Sequence, residues 1–275
     1  MISRREIERL FPGSLPYGWP LRFGLGRISM SRVGTPTLFA SFIYFSIVEE
    51  MKNHGWFVMC QLHQGNFVLA IQRGNFSSTL DKFSYVVFKK NSIEYELHFS
   101  LKASSNANNV PVELDIFIVE SAVGRSCRNR RSHVDHRQVK ACFEIKYYKH
   151  DVDVSTALGF VGRARVVQIP GAYAGFVSAG DITPAALNLL SSSNLGIAAF
   201  RKVDETSAPM MSQAIIASLH TKLPWLFRSD YSTKYTLLAL FVLLFVLLFV
   251  LLFVRLLVLE ALPIQFVRPD YRNPP

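Results

Sequence analysis

The feature of this 275-residue chain that most constrains its fold is an uninterrupted apolar run near the carboxyl end. Tyr235 to Val254 spells YTLLALFVLLFVLLFVLLFV and contains no charged residue, glycine or proline. As a helix, a run of this length extends about 30 Å, the thickness of the hydrocarbon core of a bilayer. The run is apolar on every side, whereas a helix that packs on a soluble core keeps a polar face. The sequence therefore predicts a transmembrane helix over residues 235–254.

The same run has a second interpretation, because Leu-Phe-Val-Leu recurs in it as a tandem unit. Slippage in the coding DNA would produce such a repeat on an otherwise soluble enzyme. In either case this much apolar surface must meet lipid or aggregate. Basic residues on both sides of the run leave its orientation open. We expect a membrane-anchored protein whose folded domain lies in the cytoplasm, with a cytoplasmic protein as the alternative.

Composition indicates that the rest of the chain is folded and basic. Half of the residues are hydrophobic and 18% are charged, which excludes a wholly disordered chain. The net charge of +10 suits a polyanion or an anionic membrane surface as a partner. Cys60, Cys127 and Cys142 have no CxxC spacing, so we expect no disulfide framework, no cysteine-built zinc site and a reducing compartment. The amino-terminal residues lack the continuous apolar segment of a secretory signal.

The residue pattern divides the remaining chain into an extension, a domain, a linker and a tail. Residues 1–34 are basic and contain several prolines and glycines, and they predict a loop-rich extension. Residues 35–205 carry the strand and helix patterns of one folded domain. Residues 206–234 predict a linker with one amphipathic turn of helix, and residues 255–275 form a proline-containing tail.

The first half of the predicted domain is a helix followed by strands. The helix begins at Thr35, a plausible N-cap before Pro36, and ends at His54 and Gly55. The predicted strands are GWFVMCQL, NFVLAIQ, FSYVVFKK, SIEYELHFSLKA and VELDIFIVE. The polar insert GRSCRNRRSHVDHRQ follows the last of these strands, and we expect a mobile basic loop there.

The second half of the predicted domain alternates strand and helix. A strand over residues 139–148 precedes a helix in DVSTALGFVGRARVVQ. The strand AYAGFVSAG then precedes a helix that starts at Thr183 and Pro184, and LGIAAFRKV is the last strand. This alternation is typical of parallel pairing in α/β proteins. The sequence therefore predicts an α/β fold in which helices flank a mixed central sheet.

The segment ACFEIKYYKH, residues 141–150, places a carboxylate and an ammonium group on one face of an apolar strand. Alternation puts Phe143 and Ile145 on one face, and Glu144 and Lys146 on the other. A solvent-facing ion pair that contributes little to stability would explain this pattern. A catalytic site would explain it as well, and the triplet alone does not separate the two interpretations.

A third charged residue that could join this pair lies in the preceding long strand, VELDIFIVE. Alternation places Glu113, Asp115 and Phe117 on one face of this strand, and Leu114 and Ile116 on the other. If the two strands pair, Asp115 approaches the charged face of the strand over residues 139–148. An unrelated aspartate is the alternative.

Asp115, Glu144 and Lys146 together would have a specific chemical use. Carboxylate oxygens are the ligands that Mg²⁺ prefers, and this ion keeps several of its waters. The ion lowers the pKa of a bound water and neutralises charge on a phosphodiester. The lysine can orient that water or stabilise the developing charge.

ELDIFIVE followed by CFEIKYY resembles the D…(D/E)-x-K core of the PD-(D/E)xK nuclease superfamily, which has the restriction-endonuclease-like fold. The later segments STALGFVGRARVV and AGFVSAGDITPAALNLL are similar to the end of an Mrr-like nuclease domain. The resemblance covers residues 35–203 and lies in the order and spacing of the motifs. The family often has a further acid on its first helix, where this chain has Ala40 and Ser41, which leaves a one-metal site or weakened activity open.

The resemblance implies a DNA endonuclease that needs Mg²⁺. Asp115, Glu144 and the backbone carbonyl of Ile145 would ligate the metal, and Lys146 would act on the attacking water. Asp115, Glu144 and Lys146 would be the catalytic residues. The reaction would leave a 5′-phosphate and a 3′-hydroxyl. DNA and the membrane are the expected partners, and a homodimer is left open.

The arginine-rich insert is the most cationic stretch and could follow phosphates near the cleavage site, although a solvated loop would also explain it. Its arginines are Arg125, Arg128, Arg130, Arg131 and Arg137.

Glu96 and His98 share a face of another strand and could lie at the edge of the site, or could be partly exposed polar residues. Two rival functions also remain at this stage. The domain could bind nucleic acid with little catalysis, or the chain could be a membrane-associated structural protein.

Overall fold

An eight-stranded mixed sheet lies at the centre of the computed structural model of this chain. The structure describes residues 2–14, 21–23, 33–70, 83–90, 92–104, 111–167, 173–193, 195, 197–204, 206–222, 241 and 243–245. Met1–Phe227 form one compact unit and Arg228–Pro275 a second. Within the second unit only residues 241 and 243–245 are described, and they are helical.

The compact unit Met1–Phe227 contains six helices and ten strands in its described part. The helices are α1 (Arg4–Ser14), α2 (Thr35–Asn53), α3 (Ser121–Arg130), α4 (Val154–Val167), α5 (Pro184–Ser192) and α6 (Ala208–Lys222). The strands are β1 (Leu21–Phe23), β2 (Phe57–Gln61), β3 (Phe67–Leu69), β4 (Tyr85–Lys90), β5 (Ile93–Ser104), β6 (Pro111–Glu120), β7 (Val134–Asp135), β8 (Val139–Lys146), β9 (Tyr173–Ser178) and β10 (Ala198–Phe200).

The order of the central sheet is β10-β9-β8-β6-β5-β4-β2, and β7 pairs with β5 at its side. The strands from β2 to β8 are antiparallel along this order, whereas β8, β9 and β10 are mutually parallel. The two parallel crossovers run through α4 and α5, as the alternation of the second half predicted. The predicted mixed sheet of an α/β fold is confirmed.

Two apolar clusters cover the two faces of this sheet. The first joins α1, α2 and α6 to the sheet, and we call it the α2 cluster. The second joins α3, α4 and α5 to the opposite face, and we call it the α4 cluster. On β8, Phe143 and Ile145 enter the α2 cluster and Cys142 enters the α4 cluster, which confirms the alternation predicted for this strand.

Two regions predicted as irregular contain helices that pack on the α2 cluster. The extension 1–34 includes α1, whose Ile7 is fully buried, and the predicted linker 206–234 includes the four-turn helix α6. Met211 and Ile215 of α6 are buried in the same cluster. Helix α1 was not predicted because prolines are scattered through residues 1–34, and α6 was not predicted because it lacks a strong polar face.

The insert predicted as a mobile loop is mostly ordered secondary structure. It forms α3, β7 and a short 3-10 turn, His136–Gln138. Helix α3 ends at Arg130, and its C-cap Arg131 adopts a left-handed conformation with a φ of +53°, which is usually supplied by glycine. The loop prediction is wrong because several arginines of this helix were read as solvated, whereas its side facing the sheet is buried.

The ends of two predicted helices illustrate what local sequence determines. Gly34, rather than Thr35, is the N-cap of α2, and no side chain caps this end. The helix ends at Asn53, and Gly55 follows with a φ of +78°, as predicted. Thr183 is the N-cap of α5, and its hydroxyl accepts a hydrogen bond from the backbone N–H of Ala186, which confirms that prediction.

The predicted transmembrane helix over residues 235–254 lies outside the described residues, apart from the four helical residues at 241 and 243–245. Among the residues that are described, none of the helices is long and apolar enough to cross a membrane.

Candidate active site

Asp115 and Glu144 lie where the ladder between β6 and β8 ends. The last pair of this antiparallel ladder is Ile116 with Phe143, so Asp115 and Glu144 come next on their strands. The backbone N–H of Ile145 donates a hydrogen bond of 2.8 Å to Oδ2 of Asp115. The Asp115 side chain therefore takes the place of a ladder carbonyl and joins β6 to β8. The structure thus brings Asp115 to the charged part of β8.

The two strands that carry the site leave the regular pleat at this point. The ladder between β5 and β6 omits the pair of Ser100 with Asp115, and Ser100 has a φ of +49°. Leu114 packs in the α4 cluster with Phe117, whereas Ile116 packs in the α2 cluster. The prediction that Leu114 and Ile116 share a face is therefore wrong, because strict alternation does not hold across Asp115.

Glu144 is buried and is held by two cations. Its side chain is 5% exposed, and its Oε1 lies 2.5 Å from Nζ of Lys146. The Nη2 of Arg163, on α4, contacts the same oxygen. The Glu144–Lys146 pair is therefore not the solvent-facing pair that would have explained the triplet. Sequence reasoning missed Arg163, because nothing in the spacing of a helix predicts which strand residue one of its arginines will meet.

The electrostatic environment raises the pKa values of Asp115 and Lys146. Burial, followed by the nearby Glu144 carboxylate, raises the pKa of Asp115 to about 7, although the Ile145 N–H and Lys146 oppose this shift. Burial would lower the pKa of Lys146, but Glu144 and Asp115 outweigh it and raise this pKa. Lys146 is therefore an ammonium ion at neutral pH. It can donate hydrogen bonds and stabilise negative charge, but it cannot act as a base in this state.

A cleft of about 200 Å³ opens beside Asp115, between the start of α2 and strands β5, β6 and β8. Its lining includes Thr37, Ala40, Ser100, Glu113, Asp115 and Ile145. Ser100 donates a hydrogen bond of 2.9 Å to Oε1 of Glu113, which fixes a second carboxylate in the cleft. Ala40, one of the two residues where the resemblance led us to look for an acid, lines this same cleft.

The oxygen donors of the site fit a magnesium ion better than a protein-only metal cage. No group of three His, Cys, Asp or Glu side chains in the described part of the chain is placed to hold a metal. Magnesium keeps several waters and is commonly bound by one or two carboxylates, which Asp115 and Glu144 would supply. Burial and the nearby Glu144 carboxylate both raise the pKa of Asp115, and a bound cation would offset the repulsion between the two carboxylates. The chemistry of this donor pair therefore fits a hard divalent cation.

The predicted nucleic-acid-binding arginines fall into two groups. Arg128 is buried and makes two hydrogen bonds of 2.6 Å to Glu96, so its predicted contact with phosphate is wrong. Arg125 is 59% exposed and lies 3.4 Å from Glu94. The remaining three are exposed: Arg130, Arg131 and Arg137. Strand β7, which lies between the last two, pairs with β5 at Ala103, close in sequence to Ser100.

Glu96 and His98 belong to a buried network with Arg128 and do not line the cleft. His98 Nε2 lies 2.9 Å from Glu96 Oε2, and the His98 ring stacks against Tyr85 and Phe117 at 5.0 and 5.4 Å. The Arg128 guanidinium lies 4.4 Å from the ring centroid of Tyr85. Burial would raise the pKa of Glu96, but its hydrogen bonds with Arg128 and His98 outweigh burial and lower it. Glu96 and Arg128 thus form an ionised pair in the interior, beside a His98 whose pKa is lowered by burial.

Gly124→Ala is expected to destabilise the protein by about 2 kcal/mol, because the added methyl group has no room. A Cβ at Gly124 would lie 2.0 Å from Oε2 of Glu96. Gly159→Ala, on α4, is the matched control: its Cβ would meet no atom within 4 Å, and we expect a gain of up to about 1 kcal/mol from helix propensity. Thermal unfolding of both variants measures this contrast, and equal effects would contradict it.

No protein-family model, curated protein or solved structure matches this chain. The geometry of Asp115, Glu144, Lys146 and Arg163 therefore has to support any assignment of function without help from relatives.

Proposed function

We propose that this chain is a Mg²⁺-dependent DNA endonuclease of the PD-(D/E)xK type, with an Mrr-like, restriction-endonuclease-like domain. One observation carries the proposal: the carboxylate of Asp115 is hydrogen-bonded to the residue that separates Glu144 from Lys146. Asp115 lines an open cleft, and the buried Glu144, paired with Lys146 on the adjacent strand, is close enough to raise the pKa of Asp115. The mixed sheet with helices on both faces supports the fold part of the proposal.

In this proposal Asp115 and Glu144 would hold the magnesium ion, with the carbonyl of Ile145 as a further ligand. The bound ion would supply Lewis-acid stabilisation of negative charge on the scissile phosphate. Lys146, an ammonium ion beside Glu144, donates a hydrogen bond that orients the attacking water opposite the 3′ oxygen. The same ammonium group stabilises the charge that develops on the phosphate oxygens. Cleavage of the bond from phosphorus to the 3′ oxygen leaves a 5′-phosphate and a 3′-hydroxyl.

The proposal includes DNA as the substrate and a membrane anchor over residues 235–254. The net charge of +10 favours a polyanion. The exposed Arg130, Arg131 and Arg137, together with Arg125, remain proposed phosphate contacts. Cell fractionation tests the anchor: the full chain should sediment with membranes, and recovery in the soluble fraction without detergent would contradict this part.

A catalytically weak DNA-binding module is the second candidate, and one feature of the site favours it. Ala40 lines the cleft at one of the two places where the resemblance expects an acid, which leaves fewer carboxylates for the metal. Such a protein would bind DNA through the same basic surface and would cut it slowly or not at all.

Lys146→Ala is expected to reduce Mg²⁺-dependent plasmid cleavage by about 10²- to 10³-fold, because it removes the donor that stabilises the developing charge. Lys140→Ala is the matched control on β8. Lys140 pairs with Glu120 over 2.8 Å, away from the cleft lining, and its loss should leave cleavage unchanged. The assay compares nicking and linearisation of supercoiled DNA by the full chain in detergent, with Mg²⁺ and with a chelator. Equal activity of the unaltered chain and Lys146→Ala would end the catalytic assignment, and binding without cleavage would leave the second candidate.

A further inference from the structure

Arg163 contacts Glu144 in the candidate active site, but the proposed mechanism gives it no role. It lies on α4, between Phe160 and Ala164, which both pack in the α4 cluster. The helix is therefore fixed against the sheet, and the base of the arginine side chain is fixed with it. The guanidinium reaches β8 and contacts Glu144 through one terminal nitrogen, Nη2.

Two cations meet at the Glu144 carboxylate in the free protein. Its Oε1 accepts contacts from both Lys146 and Arg163, so two cations share one oxygen of one carboxylate. If Glu144 ligates a magnesium ion, that ion takes the place of positive charge now supplied by these two side chains. Lys146 remains beside the site of water attack in the proposed mechanism. Arg163 is then left with a positive charge and a need for another anion.

The exposure and chemistry of Arg163 fit a phosphate. Its side chain is 38% exposed, whereas that of Glu144 is 5% exposed, so the arginine bridges the buried carboxylate and the solvent. A guanidinium carries five N–H donors in a planar fork that matches two phosphate oxygens. A cation that already contacts a metal-binding carboxylate is close to where the substrate phosphates must pass.

We infer that Arg163 is a substrate-binding residue: its guanidinium neutralises Glu144 in the free protein and moves to a DNA phosphate beside the scissile bond when metal and DNA bind. This inference rests on the proposed function, because it takes the site to be the place where DNA binds. It assigns to α4 a direct contact with the substrate. It also predicts that Arg163 contributes to DNA affinity through charge.

Equilibrium binding of a labelled double-stranded oligonucleotide tests the contribution of charge, measured at several monovalent salt concentrations with a constant concentration of Ca²⁺ in place of Mg²⁺. The full chain in detergent is compared with Arg163→Gln, Arg163→Lys and Arg165→Gln. One lost phosphate contact lowers the slope of log K against log salt by about 0.9. We expect this reduction for Arg163→Gln, with affinity weaker by about tenfold or more. Arg163→Lys should keep the slope but lose part of the affinity, because a single ammonium group cannot bind in a bidentate manner.

Arg165→Gln is the matched control, because Arg165 lies on the same helix and is exposed. It should leave slope and affinity near those of the unaltered chain. In cleavage assays with Mg²⁺, Arg163→Gln should raise KM more than it lowers kcat. A changed kcat with unchanged KM and slope would show that Arg163 acts only through Glu144, and would overturn the inference. If Arg163→Gln fails to fold, the affinity and KM of Arg163→Lys test the inference instead. Values equal to those of the unaltered chain would also overturn the inference.

The failures of the two proposals can be told apart. A chain that binds DNA without cutting it removes the proposed nuclease, and the salt slopes still test the phosphate contact. A chain that cuts DNA with equal slopes for Arg163→Gln and Arg165→Gln keeps the nuclease and removes the role of Arg163.

Discussion

Asp115→Asn is expected to abolish Mg²⁺-dependent cleavage and, at the same time, to make the protein more stable. The loss of activity, about 10³-fold or more, follows from the loss of a charged metal ligand. The gain in stability follows from the cost of holding a carboxylate at this position. The amide oxygen of asparagine can still accept the hydrogen bond from the Ile145 N–H, so the join between β6 and β8 is kept.

The size and pH dependence of this gain follow from the pKa of Asp115. Burial and Glu144 raise that pKa from 3.8 to about 7 in the folded protein. Between these values the folded protein keeps a proton that the unfolded chain has lost, so the stability of the unaltered protein falls as pH rises from about 4 to about 7 and then stays level. The stabilisation by Asp115→Asn should be near zero at pH 4 and reach about 2 to 4 kcal/mol above pH 7.

Thermal or denaturant unfolding of the full chain in detergent, at several pH values, measures the difference between the two proteins. Millimolar Mg²⁺ should raise the unfolding temperature of the unaltered chain and not that of Asp115→Asn, because only the first binds the ion. Asp181→Asn is the control: hydrogen bonds with Lys202 and the Ile182 N–H lower the pKa of Asp181, so its replacement should give no such gain. Destabilisation by Asp115→Asn at pH 8 would indicate that the carboxylate is a structural group.

Local sequence predicted the strand that carries Glu144 and Lys146 because its two faces differ in composition. Phe143 and Ile145 had to be buried together, and period-two alternation then fixes the side on which the charged residues lie. The approach of Asp115 required only that two consecutive long strands pair, and pairing of sequential strands is common. The proximity of three site residues was therefore predictable from the sequence.

The remaining features of the site depend on contacts that no local pattern encodes. Alternation fails at Ser100 and Asp115, where the backbone leaves the pleat, and this break aims Asp115 at β8. Arg163 reaches Glu144 only because α4 crosses back over the sheet. The insert 124–138 is rich in arginine and was predicted as a solvated loop, yet its helix buries Arg128. A charged residue in a sequence can therefore be buried when the fold supplies a buried partner of opposite charge, and charge alone does not predict exposure to solvent.

Arg128→Met is expected to destabilise the protein by about 3 to 5 kcal/mol, the cost of leaving a buried charge without its partner. Arg128 and Glu96 are both almost fully buried and share two hydrogen bonds of 2.6 Å. In the variant, only His98 of this network remains against the Glu96 carboxylate, and burial lowers the pKa of His98 and so favours its neutral form. Glu96 must then take up a proton or stay as an uncompensated charge. The destabilisation should therefore diminish as pH falls.

Further variants show whether the ion pair causes this loss. Arg125→Met removes an arginine of the same helix whose partner Glu94 lies 3.4 Å away near the surface, and should cost less than about 1 kcal/mol. Adding Glu96→Leu to Arg128→Met removes the unpaired carboxylate and should recover much of the lost stability, as replacing both members of a buried pair often does. Unfolding free energies of the unaltered chain, Arg128→Met, Glu96→Leu and the double variant form a double-mutant cycle, and Arg125→Met is measured beside them. If Arg128→Met matched Arg125→Met, the buried network would not hold α3 to the sheet.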